Sequence, residues 1–142
     1  DLFSFTEKIM NRIKLKRDAD FIIIDIHGEI TSEKMALGHF LDGKVTTVVG
    51  THTHVPTSDT RILKNGTAYQ TDLGMCGNYD SMIVMNKENS IKKFKKDPTA
   101  ESHYPANGLA SISGVIIDAS EFTGLANNID QIIIDGNLKQ KI

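Results

Sequence analysis

The chain has 142 residues, and its 16 Lys+Arg against 18 Asp+Glu leave a formal charge of −2, which excludes a dedicated nucleic-acid binder with a basic surplus. Hydrophobic residues at 39% and charged residues at 24% exclude wholesale disorder. The single Cys76 excludes an intramolecular disulfide and a Cys-rich zinc site; as no apolar run approaches the roughly 18 residues of a membrane span, a cytoplasmic, membrane-free setting is the expectation.

In chain order, Phe5, Ile9, Met10 and Ile13 form one apolar stripe of an amphipathic helix, flanked by Lys8, Arg12, Lys14 and Lys16 as a solvated basic face. The continuous run Phe21-Ile22-Ile23-Ile24-Asp25-Ile26 reads as a central strand covered on both faces. Thr31 or Ser32 caps a helix through Leu41, with Ala36, Leu37, Phe40 and Leu41 on one face and Gly43 as its stop. Val45 to Val49 is a second β-branched run. Helix, strand, helix, strand predicts parallel strands joined by a crossover helix.

Beyond this point the pattern changes. Residues 61–63 and 68–70 flank Asn65-Gly66 as a hairpin, and Asp72 to Gly77 is a glycine-rich loop. A short strand over Met82 to Met85, a helical turn over Ile91 to Phe94 and a polar loop to Asn107 follow. Leu109 to Asp118 and Ile129 to Asp135 read as two antiparallel strands. The expected fold is mixed α/β in a single domain, parallel strands first and antiparallel strands later.

The histidines carry the chemistry. His27, His52 and His54 lie just past the carboxyl ends of the two most strand-like runs, where ligands gather in open α/β sheets. In extended backbone His52 and His54 would point to one side, and neutral imidazole binds zinc, iron, manganese and similar ions. Asp72 is a candidate to orient a histidine through its second ring nitrogen. His39, mid-helix, and His103, in a polar loop, read as surface or packing residues; Cys76 has no neighbouring cation to activate it, and the lysines from 92 to 96 read as a solvated face. Asp25-Ile26-His27-Gly28 also resembles the first metal motif of calcineurin-like phosphatases, although neither Gly-Asp-x-x-Asp nor Gly-Asn-His follows it.

Longer stretches resemble one group. Ile24-Asp25-Ile26-His27-Gly28-Glu29-Ile30-Thr31-Ser32-Glu33-Lys34 is similar to the His-x-Glu-x-Thr-Ser-Glu-Lys signature of bacterial YmdB-like metallophosphoesterases. Val48-Val49-Gly50-Thr51-His52-Thr53-His54-Val55 resembles that group's Gly-Thr-His-Thr-His-Val, and Gly66-Thr67-Ala68-Tyr69, Thr71-Asp72-Leu73-Gly74-Met75 and Tyr79-Asp80-Ser81 continue it in order. The resemblance implies an α/β/β/α four-layer sandwich with two divalent ions, drawn from Fe, Mn, Mg or Zn, that hydrolyses phosphodiesters. Cyclic nucleotides, 2′,3′-cyclic ones in particular, and RNA are the implied substrate classes, and a homo-oligomer is expected.

In that group the residues matching His27 and His52 bind one metal and the residue matching His54 binds the other, so these are late metal motifs. The group's earlier motifs, which carry an Asp, a bridging acid, an Asn ligand and the proton-donating His, have no match here. The expectation is therefore a C-terminal portion of a larger domain, inactive alone. Gly28 and Pro56 depart from the common pattern without removing a ligand. Two alternatives stay open: a mononuclear zinc hydrolase held by all three histidines, and a non-catalytic binding or assembly module.

Overall fold

In the computed structural model, which describes residues 1–141, the two β-branched runs pair as parallel neighbours, β1 (Ile23–His27) beside β2 (Thr47–Thr51). The crossover between them is the helix α2 (Thr31–Leu41). The Asn65-Gly66 turn joins β3 (Arg61–Ile62) to β4 (Ala68–Gln70) as the expected hairpin, and β4 also lies parallel to β2. The sheet order is β1-β2-β4-β3. A second, two-stranded sheet holds β5 (Ile112–Ala119) and β6 (Ala126–Ile134). Their connection, residues 120–125, is far shorter than the dozen or so residues a parallel crossover needs, so this pair is antiparallel as expected. The fold is mixed α/β, with parallel and antiparallel strands.

The chain divides into two compact units: Asp1–Gly74 with Val115–Gln131, and Met75–Gly114 with the segment that begins at Ile132. In the first unit the helix α1 (Leu2–Arg12) and α2 cover one face of the four-stranded sheet. Met10, Leu37, Leu41, Ile26, Val48 and Tyr69 form the core there. On the other face, Ala68 packs with Ala126 and Ile129 and with the half-buried Val115 and Ile117. In the second unit the helix α3 (Lys87–Phe94) extends the expected turn at its N-terminus, where the Asn86 side chain accepts the Asn89 N–H. Asn89 is buried and ties down the following loop through the Glu101 and Ser102 carbonyls.

Four expectations are corrected. The stripe on α1 is rotated: Leu2, Thr6 and Met10 face the core, while Phe5, Ile9 and Ile13 are exposed. Helix α2 begins at Thr31 with no side-chain cap, Ile30 preceding it in extended backbone. Met82 to Met85 is a tight turn rather than a strand, because Ile83 (φ 52°) and Val84 (φ 75°) occupy the left-handed region while Met82 and Met85 bridge across it.

The fourth correction concerns β1, which is an edge strand and not a central one. Its burial alternates, and Ile23 is 69% exposed. Unpaired backbone beside apolar side chains is a template for another strand. The 142-residue chain is therefore expected to self-associate in a concentration-dependent way on size-exclusion chromatography with light scattering. Ile23→Lys should shift it towards monomer; an unchanged profile would remove this edge as the cause.

A candidate metal centre at the end of the parallel pair

The site is set by register. His27, the last residue of β1, lies opposite Thr51, the last of β2, so His52 follows at the same sheet edge. His27 Nε2 and His52 Nδ1 are 3.0 Å apart, with the rings nearly perpendicular. The backbone loop is not extended, as the spacing suggested: His52 has φ 124° and His54 φ 64°, both in the region that L-residues rarely adopt. Strain of this kind persists where surrounding structure holds it in place.

Hydrogen bonds fix the tautomer of His27. Thr51 Oγ1 donates to Asp25 Oδ1 at 2.9 Å, and its one proton is thereby used. The 3.1 Å contact between His27 Nδ1 and Thr51 Oγ1 must then have the ring nitrogen as donor. His27 Nε2 is left as a lone pair aimed at His52. His52 Nε2 lies 3.0 Å from Glu29 Oε2, a contact that is favourable only when that nitrogen carries a proton. With that proton on Nε2, a neutral His52 ring turns a second lone pair from Nδ1 towards His27. Two imidazole lone pairs 3.0 Å apart call for a cation or a proton between them. The separation is that of a hydrogen bond, and the same two nitrogens are a donor pair that a divalent ion would use in place of the proton.

His54 is the third histidine of this edge. Its Nδ1 is buried with no hydrogen-bond partner, a polar atom whose burial is costly unless something binds it. Among the described residues, no three His, Cys, Asp or Glu side chains gather closely enough to hold an ion by themselves. The facing nitrogens of His27 and His52 and the unpartnered Nδ1 of His54 are the imidazole donors the site offers. His39 and His103 are exposed and Cys76 is a free, exposed thiol.

Asp72 takes a different route from the one expected. Its oxygens turn to backbone rather than to an imidazole: Oδ2 accepts from Thr53 N at 2.9 Å and Oδ1 from Gly74 N at 2.9 Å. The fully buried carboxylate also accepts from Lys34 Nζ at 3.0 Å. Lys34, which closes the Thr-Ser-Glu-Lys stretch, carries no local signal in the sequence that marks it as 1% exposed. Gly50 is the other residue the sequence undervalued. A Cβ there would lie 1.8 Å from the Thr71 carbonyl oxygen, so β2 and the 71–73 segment approach only because the side chain is absent. Thr71 is held in turn by Asp59, which accepts from its N–H and its hydroxyl.

Burial would raise the carboxyl groups of Asp59 and Asp72. Thr71, Thr57 and Arg61 at Asp59, and Thr53, Gly74 and Lys34 at Asp72, outweigh it and hold both below the ordinary carboxylate value. A carboxyl lowered in the folded state contributes stability that is complete above the unfolded value, near 4, and is lost as pH falls through the folded value. Urea midpoints should therefore be flat from pH 7 to about 5 and drop below about 4. Asp59→Asn should flatten the acid-side drop; an unaltered drop would place the titrating groups elsewhere.

The comparisons with known proteins agree with this architecture. A family model described as YmdB-like protein matches residues 1–132. The chain belongs to the YmdB-like family. It is 49% identical over 115 residues to a 2′,3′-cyclic-nucleotide 2′-phosphodiesterase of Bacillus subtilis (strain 168), covering 81% of this chain and 43% of that protein. A crystal structure of a novel phosphatase of Mycoplasma pneumoniae superposes with a TM-score of 0.82 at 37% identity, covering 94% of this chain and 46% of that one. A hypothetical protein from Thermus thermophilus superposes equally, with a TM-score of 0.82 at 34% identity, over 96% of this chain and 52% of that one. The chain thus spans about half the length of these relatives.

Proposed function

We propose that this chain is the His-bearing portion of a metal-dependent phosphodiesterase that acts on cyclic nucleotides. The observation that carries the reading is the 3.0 Å approach of His27 Nε2 to His52 Nδ1, with the Thr51–Asp25 chain presenting the His27 lone pair. His27 and His52 would hold one divalent ion and His54, through its unpartnered buried nitrogen, would contribute to a second. Of the expected ions, Fe and Zn suit imidazole directly, while Mn and above all Mg favour oxygen ligands beside it. Such ions supply Lewis acidity towards phosphate oxygens and a water of lowered pKa. This chain's residues orient and fix the imidazoles: Thr51 and Asp25 set the tautomer of His27, and Glu29 accepts from His52. The proton-donating group and the remaining ligands belong to the rest of the enzyme.

The relative named as a 2′,3′-cyclic-nucleotide 2′-phosphodiesterase supports cyclic nucleotides as the substrate class, with RNA as a further candidate. Helices on one face of the sheet and the β5–β6 pair on the other support the four-layer sandwich as the complete architecture. A cytoplasmic homo-oligomer is the accompanying reading. Among the described residues no three such side chains gather at one point, which gives no support to a single three-histidine zinc site. The test is a metal count on the full-length protein by plasma emission, together with hydrolysis of 2′,3′-cyclic AMP and bis-p-nitrophenyl phosphate with added manganese. Two ions per chain and metal-dependent hydrolysis are expected. Absence of both metal and hydrolysis would overturn the reading.

A further inference from the structure

We propose that Lys34 and Asp72 are positioning residues, a buried ion pair that clamps the two peptides flanking His52 and so holds its imidazole against His27. The inference rests on the metal reading above but is tested separately from it. Lys34 Nζ donates to the Thr51 carbonyl at 2.8 Å and to Asp72 Oδ2 at 3.0 Å. The same Asp72 oxygen accepts the Thr53 N–H at 2.9 Å. One ion pair thus grips residue 51 by its carbonyl and residue 53 by its amide, with His52 between them at φ 124°. Both side chains are sealed, at 1% and 0% exposure. Two charges withdrawn this far from water are a poor device for stability alone, since a packed apolar pair often does as well. Their value lies in the bonds they direct at backbone groups in an unfavourable conformation. Gly50 and Leu73 complete the clamp: the Leu73 N–H donates to the Gly50 carbonyl at 2.8 Å, bringing the Asp72 segment to the end of β2.

The pair also links parts of the chain distant in sequence. Lys34 lies on the crossover helix, seven residues beyond His27, and Asp72 follows β4. The helix joining the two ligand-bearing strands therefore reaches back to fix the loop of the second. Outer groups that orient metal ligands typically change affinity by about 10–100-fold when removed.

The experiment compares the full-length protein with two double variants, Lys34→Met/Asp72→Leu and Lys34→Gln/Asp72→Asn. Each removes both charges at once, so neither strands a buried ion. Two readouts are taken. In metal-free samples, the nuclear Overhauser effect between the His27 and His52 rings reports their 4.8 Å approach. In parallel, manganese affinity is measured by titration. The variants that fold should keep the β1–β2 amide contacts, lose the ring-to-ring effect and bind manganese about 10–100-fold more weakly. Lys87→Met, which breaks the exposed ion pair with Asp80, should change neither readout. An undiminished ring-to-ring effect in a folded double variant would overturn the clamp. Failure of the unmodified protein to bind manganese would instead overturn the metal reading, and the ring comparison alone would then decide the clamp.

Discussion

Removing either His27 or His52 in the full-length protein is expected to lower kcat/KM for bis-p-nitrophenyl phosphate roughly 100-fold or more, equivalent to about 3 kcal/mol of lost transition-state stabilisation. If the two rings share one ion as proposed, His27→Ala and His52→Ala should act alike and the double variant should be little worse than either, their facing nitrogens lying 3.0 Å apart. His54→Ala should also lower the rate and should remove a different ion from the metal count. His39→Ala and His103→Ala, at exposed positions, should leave both rate and metal content unchanged. Additive losses from His27→Ala and His52→Ala would mean that the two do not share an ion.

Gly50→Ala should be the most damaging single methyl group in the first unit. The new Cβ would lie 1.8 Å from the Thr71 carbonyl and 2.9 Å from Lys34 Cδ, and the first of these is backbone that cannot rotate away. Either β2 or the 71–73 segment must shift, at a cost of about 3 kcal/mol, which corresponds to a fall in Tm of roughly 6–12 °C. Because the shift also pulls Asp72 from Thr53, metal affinity should weaken along with stability. Gly28→Ala is the matched control, since a Cβ there meets nothing within 4 Å. A Gly50→Ala protein that melts with the Gly28→Ala one would show the close approach to be dispensable.

The parallel pair and its crossover helix were legible in the sequence because they rest on local signals: two β-branched runs, an apolar helix between them, and Asn65-Gly66 for the hairpin. The placement of His27 and His52 at one sheet edge was legible for the same reason, since both fall at strand ends. What did not show is whatever depends on a partner far along the chain. Lys34 is buried only because Asp72, following β4, meets it. Whether Ile23 lies in the middle or at the edge of a sheet depends on neighbours that an apolar run does not specify. The rotation of α1 likewise follows from docking, where Leu2 and Met10 reach the core before Phe5 and Ile13 do. The conformation of the 52–54 loop is imposed by Lys34, Asp72 and Gly50 against the ordinary preference of histidine.

The first unit is built from Asp1–Gly74 and Val115–Gln131, so Met75–Gly114 is an insertion within it. Thr46 Oγ1 donates to the Gly124 carbonyl and Gln131 donates to the Thr57 carbonyl, bonds that close the chain across the whole inserted segment. The entropy of closing such a loop grows only with the logarithm of its length, about 0.6 kcal/mol for each doubling. In closure entropy alone, lengthening or trimming this segment therefore weighs little on the unit that carries the histidines. His27, His52 and the clamp beneath them all lie within Asp1–Gly74, on the near side of that closure.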